Sequence, residues 1–431
     1  MKPVSLLLLV LFCQPVLAQD FNPDSIAQLN KRFGFANMYV GLEGLAISPG
    51  SAPVFNSANK LENVAFAGYA MPRLVWGGTH FWGHADFYVA FPLGGYGKPA
   101  PAPLVSLRYD LGVETGLKAY PWRLRTNTLR PYLGLAWNIS SFQQTAPGAP
   151  ASIVLSQNTT PVLAGLSYRG KRVIVEAGAQ YFFKNDYKYP VSRVVSGDLM
   201  LPQFAFTINA KYLLETTYQK GAFIKKRMAA LTKHRKFSAF YVGVGPSASI
   251  GIPTFSEYDR VNYPFFENHK RYIGVVPDLT AGYYFSRPNL NIGLSYRKMS
   301  DSYEGFGVQH VHERKSVMLE VYKFLGDYHG FVPYIGITAS HEQLFFATRD
   351  LNIDNAWNTY AEHKPAVGII CGWDIRPSKA ESWLLRTNLR YTPVSMTVDD
   401  KKVAYDYIEF NFIQLVLFPG RMVAQYRERG R

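Results

Sequence analysis

Three features of this 431-residue sequence predict an all-β fold: antiparallel strands closed into a transmembrane β-barrel. Several segments alternate apolar and polar residues over roughly 10–16 positions, beyond the ~5–6 of ordinary globular strands. The separators between them alternate between short turns and long loops, the layout of a barrel that crosses a membrane. An export signal opens the chain, and no later run of ~18 apolar residues could cross a bilayer as a helix.

The expected export signal covers residues 1–18. Lys2 is its charged start, Val4 to Phe12 its short apolar run, and Val16-Leu17-Ala18 its processing site, with cleavage before Gln19. Cys13 follows Phe12, where a lipidation signal needs a small residue, so plain cleavage is the expectation. Cys371 is then the single remaining cysteine, and no intramolecular disulfide can form. The expected destination is the cell outer membrane.

Composition excludes disorder: 48% of residues are hydrophobic and only 18% charged. The 29 tyrosines and 29 phenylalanines suit strands that need aromatic faces and interfacial girdles. The net charge of +15 is concentrated in two places, Lys220 to Lys236 and the tail with Arg421, Arg427, Arg429 and Arg431. Basic segments beside a membrane meet anionic lipid headgroups, so outer-membrane lipid is the expected partner and nucleic acid is not.

The strand signal is clearest from Leu104 to Ala119. Odd positions read Val105, Leu107, Tyr109, Leu111, Val113, Thr115 and Leu117; even positions carry Arg108, Asp110, Glu114 and Lys118. The same split recurs in Pro202–Tyr212, Leu290–Met299 and Ser382–Tyr391. Eight strand candidates fall near 36–48, 63–77, 80–91, 104–120, 129–142, 161–169, 171–183 and 201–213. Eight more fall near 237–251, 272–286, 289–299, 312–326, 331–342, 364–376, 381–392 and 404–418.

These sets read as two copies of one eight-strand unit, about 16 strands in all, at 33–213 and 237–418. Pro131-Tyr132-Leu133-Gly134-Leu135 matches Pro333-Tyr334-Ile335-Gly336-Ile337 at an offset of 202, and Met38 to Leu42 matches Phe240 to Val244 at the same offset. Each half resembles the small eight-stranded outer-membrane barrels of the OmpX and OmpA-transmembrane-domain type. That resemblance rests on the signal peptide, the strand count, the loop asymmetry and the aromatic-ended strand Tyr407–Phe418, with no diagnostic short motif. It implies barrel-assembly machinery as a partner during biogenesis. The chain departs from that type by running 13 residues past Phe418, a basic tail at 419–431.

Between the copies, at 214–236, Ile224, Met228 and Leu231 recur at i, i+4 and i+7 among basic residues. This is the pattern of an amphipathic helix at a membrane interface, or of a solvated basic linker. Two small barrels fit better than one sixteen-stranded barrel, because a 23-residue connector is long for a turn and the inward faces are glycine-rich. One large ring would instead enclose a porin-like channel for small solutes. Glu43, Asp86, Arg108, Asp110, Glu114, Lys118, Glu176, Lys211, Arg297, Arg386 and Arg390 are the expected lumen charges, joined in an ion-pair network.

No catalytic, metal or cofactor signature is present. His310 and His312 read as a surface pair, and Ser340-His341-Glu342 cannot form a triad because neighbouring strand residues face opposite ways. Tyr258, Tyr263, Phe265 and Phe266 make the 252–271 loop aromatic enough to be a binding surface, or they are girdle residues at the membrane edge. The expected role is therefore structural or extracellular binding through long loops, without catalysis and with the ligand unidentified.

Overall fold

The computed structural model describes residues 34–94, 100–101, 105–146, 152–214, 221–251, 256–266, 272–328 and 330–427. The expected signal peptide and the end of the basic tail lie outside the described residues. The first eight barrel strands are β1 (Asn37–Ile47), β2 (Tyr69–His80), β3 (Ala85–Pro92), β4 (Ser106–Ala119), β5 (Thr128–Thr145), β6 (Val162–Arg169), β7 (Val173–Tyr181) and β8 (Phe204–Leu214). The second eight are β9 (Ala239–Gly251), β10 (Tyr272–Phe285), β11 (Leu290–Gly305), β12 (Val308–Phe324), β13 (Phe331–Asp350), β14 (Asp354–Ile375), β15 (Trp383–Thr392) and β16 (Tyr407–Leu417).

Each set closes on itself. Neighbours in sequence pair antiparallel, and β1 pairs with β8 from Met38↔Leu214 to Ile47↔Ala205. The second set forms a closed barrel in which β9 pairs with β16. The fold is thus two eight-stranded rings, and the single ring that a porin-like channel needs does not form. Closure gives every barrel strand two partners, the condition for β-structure in lipid, where unpaired backbone groups are costly.

The faces are inverted relative to a soluble protein. Leu42, Leu133, Ile208, Leu294 and Val367 point outward and are between 56% and 69% exposed, while Arg73, Glu114, Lys211, Asp278 and Arg390 are buried inside. In water each such aliphatic residue would forgo about 1.5–3 kcal/mol of burial. Lipid supplies that environment.

In β4 the alternation misleads. A register shift lies between Leu111 and Glu114 against β5, a β-bulge that exchanges the two faces. Beyond it Glu114 and Lys118 point inward; before it Leu107, Tyr109 and Leu111 do so and join an apolar core with Phe66 and Phe142. Arg108 and Asp110 are therefore outside the lumen, paired with each other at 2.7 Å. The turn expected between strands 63–77 and 80–91 comes later, at Phe81–Gly83, where all three φ angles are positive, and Gly77 and Gly78 lie within β2. A Cβ at Gly77 would strike the Phe87 carbonyl oxygen and the Tyr39 hydroxyl, so this glycine makes room for a lumen tyrosine.

Several expected loops are strands. The hairpins Gly50–Phe55/Leu61–Phe66 and Asp186–Pro190/Ser196–Met200 form a four-stranded sheet whose apolar residues share the core of Leu107 and Tyr109. β13 and β14 run beyond the expected strands 331–342 and 364–376, to 20 and 22 residues. At ~3.3 Å per residue that is roughly 65–75 Å, whereas a tilted crossing takes ~9–11 residues. A paired hairpin therefore stands well clear of the membrane on the long-loop side.

At the short-turn end, α1 (Gly221–Lys233) joins the rings. A short helix, α2 (Glu257–Asn262), lies over the far mouth of the second ring, and α3 (Pro419–Arg427) follows β16 back at the short-turn end. The expected apolar stripe of α1 faces the protein, not the membrane: Leu231 packs with Ala380 and Ala424, flanked by Met228 and Phe237, and Ile224 is buried.

The two rings touch along their height. Phe81 meets Phe331 at the short-turn end (ring centroids 5.5 Å), Phe87 meets Trp373 (5.6 Å), and Trp137 meets Phe410 (6.4 Å). Val89, Ala248 and Phe412 are buried in this seam.

Candidate functional site

The densest polar chemistry lies inside the rings. In the first, Arg73 ion-pairs with Glu43 and, at 3.2 Å, with Glu114. Glu114 also accepts hydrogen bonds from Tyr88 (2.7 Å) and Gln180 (3.1 Å). Glu176 bridges Lys118 at 2.5 Å and Lys211 at 2.8 Å, and Lys211 reaches Asp86 at 3.2 Å. Asn209 donates to both Glu43 and Glu176 at 3.1 Å, which joins the two clusters. Every one of these charges has an opposite partner, so the desolvation cost of burial is met by pairing.

The second ring repeats the principle with other residues. Arg390 binds Asp278 at 2.6 Å and Glu320 at 2.8 Å; Arg297 binds Glu409 at 2.5 Å and Glu320 at 3.6 Å. Nearer the short-turn end Arg386 holds Asp374 at 2.7 Å and lies 5.3 Å from the Tyr322 ring centre. Nearer the far mouth Arg314 and Glu342 form a two-pronged pair, both contacts 2.8 Å. Arginine suits these places because its planar fork satisfies a carboxylate at two points without water.

Most of the expected lumen residues are thus brought together inside the rings: Glu43, Asp86, Glu114, Lys118, Glu176 and Lys211 in the first, Arg297, Arg386 and Arg390 in the second. Arg108 and Asp110 are not. Arg73 escapes the alternation pattern, although it sits opposite Glu43 in the β1–β2 register and shares the inward parity of Met71 and Val75. Asp278, Glu320 and Glu409, the acids that balance the second set of arginines, also lie outside the expected set.

Buried tyrosines line both interiors at one spacing: Tyr39 and Tyr241, Tyr120 and Tyr322, Tyr132 and Tyr334, each pair 202 apart. In the first ring Lys211 lies 4.5 Å from the Tyr39 ring centre and Lys118 4.7 Å from that of Tyr132. Arg386 takes the corresponding place among Tyr241, Tyr322 and Tyr334.

Polar interior, apolar exterior and closed antiparallel rings decide the class. The chain has the fold of a transmembrane antiparallel β-barrel protein. No protein-family model matches the sequence, and no curated protein matches it either. Among solved structures, Neisserial surface protein A is similar at 13% identity and a TM-score of 0.31, covering 42% of this chain and 98% of its own. Ail of Yersinia pestis, solved with the heparin analogue sucrose octasulfate, is similar at 12% identity and 0.26, covering 42% and 96%. A FadL homologue of Pseudomonas aeruginosa aligns over 88% of this chain and 89% of its own, at 8% identity and 0.21.

The outer rim of the double barrel corrects two further expectations. His310 and His312 are buried, not on the surface, because α2 and the segment after it fold over them. Tyr303 lies within 3.2 Å of both imidazoles and donates to Asp259 at 3.0 Å. Tyr258 and Phe266 are buried over the mouth, with Tyr263 and Phe265 half-buried beside them, so these aromatic side chains pack inward instead of presenting an open surface. No cluster of three His, Cys, Asp or Glu among the described residues is placed to hold a metal. Ser340 and Glu342 face inward, with 2.5 Å between their oxygens, while His341 stands outside beside His363.

Among polar neighbours such as Asn352 and Asp354, the rim also exposes three apolar side chains. Val194, Leu351 and Ile353 are 91%, 47% and 83% exposed at the tips of loops from the two rings. A separate cleft on the first ring is lined by Asn158, Thr160, Phe183, Lys184 and Tyr187.

Proposed function

We propose that this double barrel is a sealed surface scaffold: it anchors its outer hairpins in the outer membrane and acts through them, without catalysis. The pair of filled interiors carries this reading. Charges that are mutually paired across each ring fill the interiors, and apolar clusters lie at both far mouths, which favours a closed lumen over a wet path. The exposed side chains of Val194, Leu351 and Ile353, brought near one another by the Arg193–Asp350 pair, support an extracellular binding role. The common tyrosine spacing supports descent of the two rings from one duplicated unit. Barrel-assembly machinery is the proposed partner during insertion.

Ion conductance of the refolded mature protein in a planar lipid bilayer tests the sealed reading. Silence is expected from the wild type, with intermittent small openings once Arg73→Ala or Arg390→Ala breaks a network. Stable wide-pore openings by the wild type would overturn it in favour of transport.

A further inference from the structure

The short-turn end of the second ring carries α1 and α3, each tied to it by polar contacts. Arg227 of α1 ion-pairs with Glu381, while Arg421 of α3 donates to the Glu381 carbonyl at 3.0 Å and the Lys236 carbonyl at 3.3 Å. Gln425 donates to the Ala380 carbonyl at 2.5 Å. Both helices are thus fastened to the β14–β15 turn before any partner arrives.

Fastening uses one face of α3, that of Arg421, Ala424 and Gln425. The opposite face presents Met422, Val423 and Tyr426, which are 39%, 52% and 79% exposed. The adjoining α1, packed on α3 through Leu231 and Ala424, exposes Lys225 and Lys226, Lys236 and Arg427 are exposed as well, and Lys220 to Lys236 includes no acidic residue. An apolar strip with an aromatic end and a basic surround is the composition of a helix lying at a lipid–water boundary. Its place fits. The strand ends that flank α1 and α3 belong to the short-turn side, where Phe240 and Leu325, 50% and 59% exposed, continue the lipid-facing belt.

We propose that the α1–α3 pair is a docking surface for the anionic phospholipid headgroups of the inner leaflet, with Met422, Val423 and Tyr426 entering the interfacial layer and Lys225, Lys226 and Arg427 meeting phosphate. Charge complementarity and continuity with the lipid belt select this occupant over a neutral bilayer. The assignment rests on the outer-membrane reading, and the test separates the two.

The mature protein with Cys371→Ala carries a nitroxide at Val423→Cys or, as a control in the belt, at Val367→Cys. Each is reconstituted in bilayers of phosphatidylcholine with or without phosphatidylglycerol, and collision rates with oxygen and with a water-soluble nickel chelate give the label's depth. At 423 oxygen collisions are expected to dominate in the anionic bilayer, with the ratio falling severalfold in the neutral one or in Lys225→Gln/Lys226→Gln/Arg427→Gln. A water-exposed label at 423 in the anionic bilayer, with 367 still in lipid, overturns the docking surface alone. Unchanged depth in the charge variant overturns the role of phosphate. A water-exposed label at 367 overturns the outer-membrane reading and the docking surface with it.

Discussion

Arg193, on a loop of the first ring, grips Asp350, at the outer tip of β13 in the second, with both arms of its guanidinium: 2.9 Å to Oδ2 and 2.7 Å to Oδ1. The same side chain donates to the Phe306 carbonyl at 3.1 and 2.8 Å. This clasp lies beyond the membrane and holds together the tips that expose Val194 and Ile353.

The clasp depends on pH in one direction. The Arg193 hydrogen bonds, assisted by Asn352, hold the Asp350 carboxyl below its usual range. A depressed carboxyl stabilises the folded arrangement fully above the unfolded pKa of about 3.9 and loses that contribution as pH falls through the folded value. Double electron–electron resonance between nitroxides at Lys188→Cys and Asp354→Cys, with Cys371→Ala, is expected to give a narrow distance distribution near neutrality. It should broaden below about pH 4, and Asp350→Asn should broaden it at both.

The bulge in β4 makes two arginines unequal. Arg73→Ala leaves Glu43 and Glu114 buried without their cation and is expected to cost about 3–5 kcal/mol in guanidinium unfolding from lipid or detergent. Arg108→Ala removes only an outside pair and should cost under about 1 kcal/mol. Equal losses would mean that β4 keeps one face throughout.

A glycine and a tyrosine should be coupled. A Cβ on Gly178 would run into the Tyr132 hydroxyl, so Gly178→Ala is expected to destabilise by about 1–3 kcal/mol. Tyr132→Phe removes the obstructing oxygen and should recover part of that loss, a coupling of about 0.5–3 kcal/mol in a double-mutant cycle. Additive effects would contradict the contact.

The barrel strands are legible in the sequence because lipid outside and charge inside enforce period-2 alternation more strictly than a soluble core does. Alternation fails wherever one residue is inserted. The shift between Leu111 and Glu114 puts Arg108 and Asp110 on the outer face, and nothing in residue type announces it. Arg73 is hidden in an apolar stretch, and only its register opposite Glu43 reveals it. The outer segments read as loops because their burial comes from caps such as Tyr258 and Phe266, packed by residues distant in sequence. Pairing partners of this kind are tertiary information.

Strand-to-strand crosslinking checks that each ring closes on itself. In the Cys371→Ala protein, Leu42→Cys with Ala210→Cys places two thiols on directly opposed residues of β1 and β8. This pair is expected to oxidise to a disulfide in the membrane-inserted protein, while Leu42→Cys combined with cysteines scanned along β16 from Ile413 to Leu417 does not. Crosslinking of β1 to β16, with none to β8, would contradict closure and restore a single sixteen-stranded ring.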